Sequence, residues 1–267
     1  MTDSAQNTIS MQDKVVVVTG AAGGIGEALA RMMSERGARV VISDIDAERA
    51  HGVAERLGAT LIAGDAASEE GVTALIETVT EEVGPIDAWF ANAGVDLGRG
   101  LGSAEEDWAR SWQINVMAHV RAARLLVPGW VERGAGWFIS TASAAGLLTM
   151  IDAPAYSVTK HGAVAFAEWL SATYRHQGVR VHTICPQGVQ TSMLERAGEL
   201  QSILGRDRVL TPDEVAEATW EAMQEGRLLV LPHPEVREYY RARAHDTDGW
   251  IAGMNRLQQK LESASDS

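Results

Sequence analysis

A run of four valines, Val15–Val18, leads almost directly into the glycine-rich stretch Gly20–Gly26. A short β-branched run without polar alternation is typical of a strand that is buried on both faces. Helical periodicity follows at Ile25, Leu29 and Met32, so the glycines are predicted to form a turn between a strand and a helix. Buried strands that lead into helices in this way favour folds built on a parallel sheet.

The same alternation of apolar run and helical stretch continues along most of the chain. The predicted strands are Val15–Val18, Arg39–Ser43, Thr60–Ala63, Ile86–Phe90, Trp137–Ser140, Arg180–Ile184 and Leu228–Leu231. We therefore predict an α/β fold with a Rossmann-like, doubly wound, parallel seven-stranded sheet in three α/β/α layers. Residues 13–234 are expected to form this single domain, residues 1–12 a disordered N-terminal arm, and residues 235–267 a helical C-terminal tail.

Two long helices are predicted over 104–131 and 154–177, and a shorter helix over 212–225. Ser103, with Glu106 three residues later, predicts a capping box at the start of the first. Phe166 and Trp169 on the second are expected in the core, with contact across a dimer axis as the alternative.

The charge of the chain argues against two classes of binding partner. The formal charge of −13 (23 basic and 36 acidic residues) disfavours binding to nucleic acid and to anionic lipid.

The sequence also gives indications of the protein's location. No stretch approaches the ~18 apolar residues of a membrane span, and residues 1–12 lack the apolar run of a signal peptide. A single cysteine, Cys185, excludes an intrachain disulfide. We expect a cytoplasmic protein, without a metal site because no His or Cys cluster has ligand spacing.

The glycine turn predicts a nucleotide site. A glycine-rich turn between a strand and a helix lets the backbone approach a pyrophosphate, and the helix N-terminus supplies N–H groups. Asp44 ends the second strand, eighteen residues after Gly26. A carboxylate there can accept hydrogen bonds from both ribose hydroxyls and would repel a 2′-phosphate, so NAD is preferred over NADP.

Tyr156 and Lys160 are four residues apart near the start of a predicted helix, which places them on one face. A phenol with an ordinary pKa near ~10 is a poor base unless its anion is stabilised. A neighbouring ammonium favours that anion, so the pair can exchange a proton with a carbinol oxygen.

Six motifs in order carry a family resemblance. They are Thr19–Gly26, Asn92-Ala93-Gly94, Ile114-Asn115-Val116, Ser143, Tyr156–Lys160 and Pro186–Thr191. Together they resemble the short-chain dehydrogenase/reductase family from about Lys14 to Leu231. The resemblance implies an alcohol dehydrogenase or ketoreductase with NAD as cofactor and a small alcohol or ketone as substrate.

The resemblance also implies a role for each residue of the catalytic set. Tyr156 would be the acid/base, and Lys160 would hold the nicotinamide ribose and lower the pKa of the tyrosine. Ser143 would hydrogen-bond the substrate oxygen. Asn115 would position a water that links Lys160 to solvent.

The implied cofactor contacts extend over the whole nucleotide. Asp65 with Ala66 would meet the adenine, and Val189 with Thr191 would hold the nicotinamide carboxamide. Asn92 to Gly94 would line the cofactor and stabilise the central sheet. The expected cofactor-binding residues are Gly20, Gly24, Ile25, Gly26, Asp44, Asp65, Ala66, Asn92, Ala93, Gly94, Tyr156, Lys160, Pro186, Gly188, Val189 and Thr191.

The substrate end should be mainly apolar, which suits an alcohol or ketone with an aliphatic, aromatic or ring body. The expected substrate contacts are Ser143, Ala145, Tyr156, Gln187 and Met193, among candidates that also include Val95, Leu97, Ala144, Leu148, Met150, Ile151 and Leu194. Gln187 replaces the family's usual glycine, and substrate contact and a tolerated loop residue remain alternatives. Residues 192–210 are a candidate lid.

The family usually ends in a strand and glycine-rich turns, whereas here Pro232-His233-Pro234 leads into a helix-prone tail. That ending puts the common tetramer in doubt, and we expect a homodimer or homotetramer. The predicted function is NAD-dependent interconversion of a secondary alcohol and a ketone by hydride transfer.

Two alternatives remain. An oxoacyl-thioester reductase would favour NADPH and a basic docking patch, and Asp44 and the net charge argue against it. A non-catalytic nucleotide-sensing regulator would not need the intact set Asn115, Ser143, Tyr156 and Lys160.

Overall fold

A computed structural model of the chain describes residues 9–195 and 207–265. Within these residues seven parallel strands form one sheet, in the order β3-β2-β1-β4-β5-β6-β7. The strands are β1 (Val15–Thr19), β2 (Arg39–Ser43), β3 (Thr60–Leu61), β4 (Ala88–Ala91), β5 (Gly136–Thr141), β6 (Val179–Ile184) and β7 (Leu229–Val230). The predicted doubly wound sheet is confirmed, although β3 and β7 are shorter than the predicted strands.

Helices cover both faces of the sheet. The α-helices of the described residues are α1 (Gly24–Glu35), α2 (Ala47–Leu57), α3 (Glu69–Glu82), α4 (Glu105–Trp112), α5 (Ala118–Arg133), α6 (Ala145–Leu148), α7 (Pro154–Tyr174), α8 (Ser192–Glu195), α9 (Pro212–Glu225), α10 (Pro234–His245) and α11 (Thr247–Ser265). Val16 and Val18 of β1 belong to the core on one face, and Val15 and Val17 to the core on the other. Burial of both faces explains why the strand reads as an uninterrupted valine run.

The strand order places the carboxyl ends of β1 and β4 side by side. The chain winds outward from β1 to β2 and β3, and then returns to the other side of β1 at β4. In doubly wound sheets a crevice opens where the winding reverses in this way. The turn after β1 and the loop after β4 therefore meet at one edge of the sheet.

Two helix predictions need correction. Helix α4 begins after Ala104 with no side-chain cap, and the Ser103 hydroxyl instead donates to the Gly100 carbonyl at 2.9 Å. The predicted helix over 104–131 contains a π-helical turn, Gln113–Met117, between α4 and α5. By contrast, α9 begins at Pro212 as predicted, and the structure adds a capping box formed by Thr211 and Glu214.

Trp169 is 53% exposed and not in the core, because its helix α7 turns that face to solvent. Phe166 is partly buried against the core and stacks on Trp169, with ring centroids 5.9 Å apart. The two aromatic residues therefore form the edge of an exposed face of α7.

The chain ends also pack on the domain. Residues 9–12, part of the predicted N-terminal arm, are held in place: Met11 is buried, and the Ile9 N–H donates to the Gln224 side chain at 3.0 Å. Residues 1–8 lie outside the described ranges. The predicted helical tail contains α10 and α11. Across the described ranges, no helix combines the length and apolar character needed to cross a membrane.

Candidate active site

A cleft of about 1040 Å³ follows the carboxyl edge of the sheet. Every residue expected to bind cofactor or substrate lines it, from the turn after β1 to Met193 in α8. Asn115 is not among the lining residues because it is fully buried behind them. Of the wider set of apolar candidates, Leu97 does not line the cleft.

The turn after β1 is shaped by glycine at two positions. Gly20 has a φ of +64°, and a Cβ there would lie 2.7 Å from the Ala93 Cα. At Gly26 a Cβ would lie 2.2 Å from the Gly20 carbonyl oxygen, so glycine lets α1 approach the turn closely. The N-terminus of α1 has no side-chain cap, which leaves its first N–H groups able to bind an anion.

Asp44 follows the end of β2 and faces the same turn. Its carboxylate accepts hydrogen bonds from the Ala22 N–H at 2.9 Å and from the Asp46 N–H at 3.0 Å. These bonds fix the carboxylate at the edge of the cleft, and each oxygen keeps a further lone pair. The geometry suits the acceptance of ribose hydroxyls.

Asp65 and Ala66 line the cleft beyond β3. The Asp65 carboxylate accepts hydrogen bonds from the Ala67 N–H at 2.8 Å and from the Ser68 N–H at 3.2 Å. Burial acts to raise the pKa of Asp65, but hydrogen bonds from Ser68 and Ala67 outweigh it, so the pKa is lowered. The acid is therefore ionised at neutral pH.

Asn92, after β4, joins three strand ends. Its Nδ2 donates to the carbonyls of Thr19 and Gly20, both at 3.0 Å, and its Oδ1 accepts from the Thr141 hydroxyl at 2.9 Å. One side chain thus links the ends of β1, β4 and β5 at the floor of the cleft.

Asn115 lies in the π-helical turn and is fully buried. Its Oδ1 accepts from the Val95 N–H at 2.9 Å, and its Nδ2 donates to the Val95 carbonyl at 2.9 Å and to the Thr159 hydroxyl at 3.0 Å. Because these bonds reach both the loop after β4 and helix α7, Asn115 fixes the surroundings of the neighbouring Lys160. Single π-helical turns are common at functional sites.

Tyr156, Lys160 and Ser143 converge on the cleft. Helix α7 presents Tyr156 and Lys160 one turn apart, with the Lys160 Nζ 5.6 Å from the centre of the tyrosine ring. Lys160 Nζ donates to the Thr141 carbonyl at 2.7 Å. The Ser143 hydroxyl, in the loop after β5, accepts the Ala145 N–H at 3.1 Å and hydrogen-bonds the phenol of Tyr156.

Burial controls the charge states of this group. It raises the pKa of Tyr156 to about 12, even though the hydrogen bond with Ser143 acts in the opposite direction. It also lowers the pKa of Lys160 to about 8. The tyrosine shift is opposite to the lowering that the resemblance implied, because burial penalises the phenolate more than its neighbours stabilise it. At neutral pH the site therefore holds a neutral phenol beside an ammonium.

The substrate end is largely apolar, with Ala145, Leu148 and Met150 among its lining residues. The backbone N–H of Gln187 donates to His233 Nδ1 at 3.2 Å, while the Gln187 Oε1 is buried and has no partner in the described part of the chain. Most of the candidate lid, residues 196–206, lies outside the described residues.

The profile of the short chain dehydrogenase family matches residues 14–201. The chain belongs to this family. The 1-deoxy-11-beta-hydroxypentalenate dehydrogenase of Streptomyces exfoliatus is 34% identical over 249 residues, covering 90% of each chain.

Two solved structures extend the comparison. A short chain dehydrogenase/reductase of Burkholderia phymatum in complex with NAD is 29% identical with a TM-score of 0.82, over 90% of this chain and 96% of that one. A 3-ketoacyl-(acyl-carrier-protein) reductase of Brucella melitensis complexed with NADH is 27% identical with a TM-score of 0.77, over 84% and 99%.

Sequence reasoning missed some of the residues that line the cleft of this short-chain dehydrogenase. Asp96 lines it and acts to raise the pKa of Tyr156. Trp250, Met254 and Leu257 line it from the C-terminal tail. The helical spacing of these three side chains was the available signal, but spacing alone does not identify the surface that a helix covers.

Proposed function

We propose that this short-chain dehydrogenase is an NAD-dependent oxidoreductase that interconverts a secondary alcohol and a ketone. One observation carries the proposal: Tyr156, Ser143 and Lys160 line the same cleft as the glycine turn after β1. A phenol beside an ammonium and a hydroxyl can transfer a proton to a substrate oxygen. The structural relative from Burkholderia phymatum that is in complex with NAD supports the choice of cofactor.

The residues of the cleft fit a dinucleotide. The uncapped start of α1 would hold the pyrophosphate, Asp44 the adenosine ribose, and Lys160 the nicotinamide ribose. Val189 and Thr191 would hold the carboxamide, with Asp65 and Ala66 at the adenine end. When bound, the oxidised cofactor supplies a hydride acceptor and the reduced cofactor a hydride donor.

The protein's own contribution is the proton. Ser143 Oγ accepts the Ala145 N–H, and the hydroxyl hydrogen that it shares with the Tyr156 phenol would be donated to the substrate oxygen when substrate is bound. Tyr156, which is protonated at neutral pH, donates its proton to a ketone oxygen as charge develops there. In the reverse direction the phenolate takes the proton from the alcohol.

Lys160 and Asn115 would return the proton to solvent. An ammonium has three N–H donors, and Lys160 uses one of them on the Thr141 carbonyl. A Cβ placed on Gly94 would lie 3.3 Å from Lys160 Nζ and 3.2 Å from Asn115 Oδ1, so the two side chains border one small space. We propose that Asn115 maintains this space for a water that accepts from Lys160.

Cofactor choice provides a prediction. Asp44→Asn should weaken NADH binding about tenfold, because a charge-assisted hydrogen bond is worth about 1.5 kcal/mol or more. It should also improve NADPH binding, because the 2′-phosphate no longer meets a carboxylate. Titration of cofactor fluorescence would measure both dissociation constants. Glu48→Gln, on the exposed start of α2, is the matched control; an unchanged NADH-to-NADPH preference in Asp44→Asn would contradict the role of Asp44.

The assembly is a second proposal. Trp112 of α4 (42% exposed), Leu125 of α5 (44%), and Val158 and Trp169 of α7 (49% and 53%) are exposed apolar side chains. We propose that this face pairs in a homodimer. Trp169→Glu should then lower the mass found by sedimentation towards that of a single chain, whereas Leu101→Glu, at another exposed apolar residue, should not. A wild-type protein that sediments as a single chain would contradict the proposal.

A cytoplasmic location is also proposed. Cys185 is a buried thiol with no disulfide partner in the sequence, and burial raises its pKa to about 12, which keeps it unreactive. Cell fractionation would check the location.

Turnover assays with a substrate panel test the proposed function. Purified protein should oxidise NADH with a simple ketone and reduce NAD with the matching alcohol. A preference for a 3-oxoacyl thioester would instead favour the ketoacyl reductase alternative, to which the Brucella melitensis structure gives weight. NADH binding without turnover of any panel member would favour a nucleotide sensor.

A further inference from the structure

The C-terminal helix pair, α10 and α11, packs against the catalytic part of the fold. Val236 of α10 is fully buried in a cluster with Leu147 and Leu148 of α6 and with Val164 of α7. Tyr239 and Trp250 pack against the same cluster, with their ring centroids 6.1 Å apart. The pair is therefore a docked part of the domain.

A polar contact fixes where the pair docks. Arg243 near the end of α10 donates to the Leu147 carbonyl of α6 and lies 3.2 Å from His161 Nε2 of α7. His161 Nδ1 is in turn 2.9 Å from the Ser157 carbonyl. Because a ring nitrogen bonded to a carbonyl carries the hydrogen, Nε2 is free to accept from Arg243. The helix pair is thus tied to the turn of α7 that carries Lys160.

Helix α11 presents one face to the cleft. Trp250, Gly253, Met254 and Leu257 are partly buried and line it. Their spacing of three and four residues places them on one stripe of the helix. Ile251, at 54% exposure, lies away from that stripe.

The rest of the substrate end is also apolar. Leu148, Met150, Ile151 and the α8 residues Met193 and Leu194 line the same cleft as Tyr156 and Ser143. Methionine side chains adapt to irregular apolar shapes. Together with α11 they provide a broad apolar surface beside Tyr156 and Ser143, which would contact the reacting oxygen, with Asp96 and Gln187 as further polar lining residues.

We propose that α11 is the outer wall of the substrate pocket, and that Trp250, Met254 and Leu257 select secondary alcohols and ketones with a bulky apolar ring body over short or polyhydroxylated ones. The inference rests on the proposed function and adds the substrate class. It assigns a specificity role to a segment that departs from the family's usual ending.

Two variants of the wall test this proposal in opposite ways. Met254→Ala/Leu257→Ala removes apolar contact, and Gly253→Leu fills the pocket from the same stripe. A Cβ placed on Gly253 would meet nothing closer than the flexible end of Arg256 at 3.7 Å, and leucine favours a helix over glycine, so this variant should fold. The probes are the bicyclic trans-1-decalone and the small butan-2-one, both with NADH.

Wild-type protein should have the higher kcat/KM for decalone, and both variants should lower that preference by about tenfold or more. NADH affinity should not change. Ile251→Ala, on the exposed face of α11, is the matched control and should keep most of the wild-type preference. Wild-type preference for butan-2-one, or an unchanged ratio in both wall variants, would overturn the inference.

A binding measurement separates this inference from the proposed function. Calorimetry of decalone with NAD-loaded protein reports on the wall without turnover. If the wild-type protein binds decalone about tenfold more tightly than the wall variants but turns over no ketone, the role of α11 as a pocket wall is supported and the proposed function is wrong. If turnover occurs and decalone binding is the same in all variants, the proposed function is supported and the role of α11 as a pocket wall is contradicted.

Discussion

Tyr156→Phe is expected to lower kcat by about two to four orders of magnitude, the range contributed by a positioned acid/base. The substitution removes one hydroxyl from a buried side chain and leaves the ring beside Lys160. The phenol hydrogen-bonds Ser143, and phenylalanine at this position has no proton to transfer to the substrate oxygen.

Cofactor binding separates this loss from general damage. The NADH dissociation constant of Tyr156→Phe should stay within about threefold of wild type, because the turn after β1, Asp44 and Lys160 remain. Thermal unfolding should show a folded protein. A Tyr156→Phe variant with full activity would contradict the proposed mechanism. A variant that no longer binds NADH would indicate that Tyr156 acts mainly in cofactor binding.

Lys160→Met is expected to abolish most activity and to stabilise the fold at the same time. The ammonium is buried, and burial lowers its pKa from 10.5 to about 8. Holding that charge inside the protein costs on the order of 3 kcal/mol at neutral pH. Methionine removes this cost and loses the charge-assisted hydrogen bond to the Thr141 carbonyl, worth about 1.5 kcal/mol or more, so the net gain should be on the order of 1 kcal/mol.

The pH dependence of this gain follows from the pKa shift. Between pH 8 and 10.5 the unfolded chain binds more protons at Lys160 than the folded chain, so the stability of the wild type rises with pH across that window. Methionine does not titrate. The advantage of Lys160→Met should therefore be largest below pH 8, and it should shrink and then reverse as the pH rises towards 10.5.

Urea unfolding of both proteins at several pH values would measure the effect, with Lys260→Met on exposed α11 as the control. Kinetics of the same variants would give the activity. A Lys160→Met protein that is less stable than wild type at neutral pH would mean that the ammonium stabilises the fold, and the predicted cost of its burial would be wrong.

Local patterns predicted the parts of the site that are set within one short segment. The glycine turn, Asp44 at the end of β2, and the Tyr156–Lys160 pair each depend on a strand end or a single helical turn. Parallel strands then bring such segments to one edge of the sheet, so their meeting in one cleft followed from the fold class.

Features that depend on distant partners were not predictable. The π-helical turn at Asn115 reads as ordinary helix in the sequence, and it occurs where the Asn115 side chain bonds Val95 and Thr159. The expected capping box at Ser103 is absent because its hydroxyl bonds Gly100 in the preceding loop. Docking of α11 on the cleft depends on contacts such as Arg243 with Leu147, which no local pattern records.

The pKa of Tyr156 shows the same limit in energetic terms. Helical spacing places an ammonium near the phenol and so predicts a lowered pKa. Full burial, which depends on the whole fold, outweighs the local hydrogen bond and raises the pKa to about 12. The size of the pKa shift that burial causes could therefore be judged only from the structure.

Isotope transfer can follow the proposed movement of a hydride between a nicotinamide and a carbinol carbon. Protein incubated with a ketone and NADH deuterated on the transferring face should yield an alcohol with deuterium on the carbinol carbon, and Tyr156→Phe should yield almost none. An alcohol product without deuterium, or no product while NADH is bound, would contradict hydride transfer at this site.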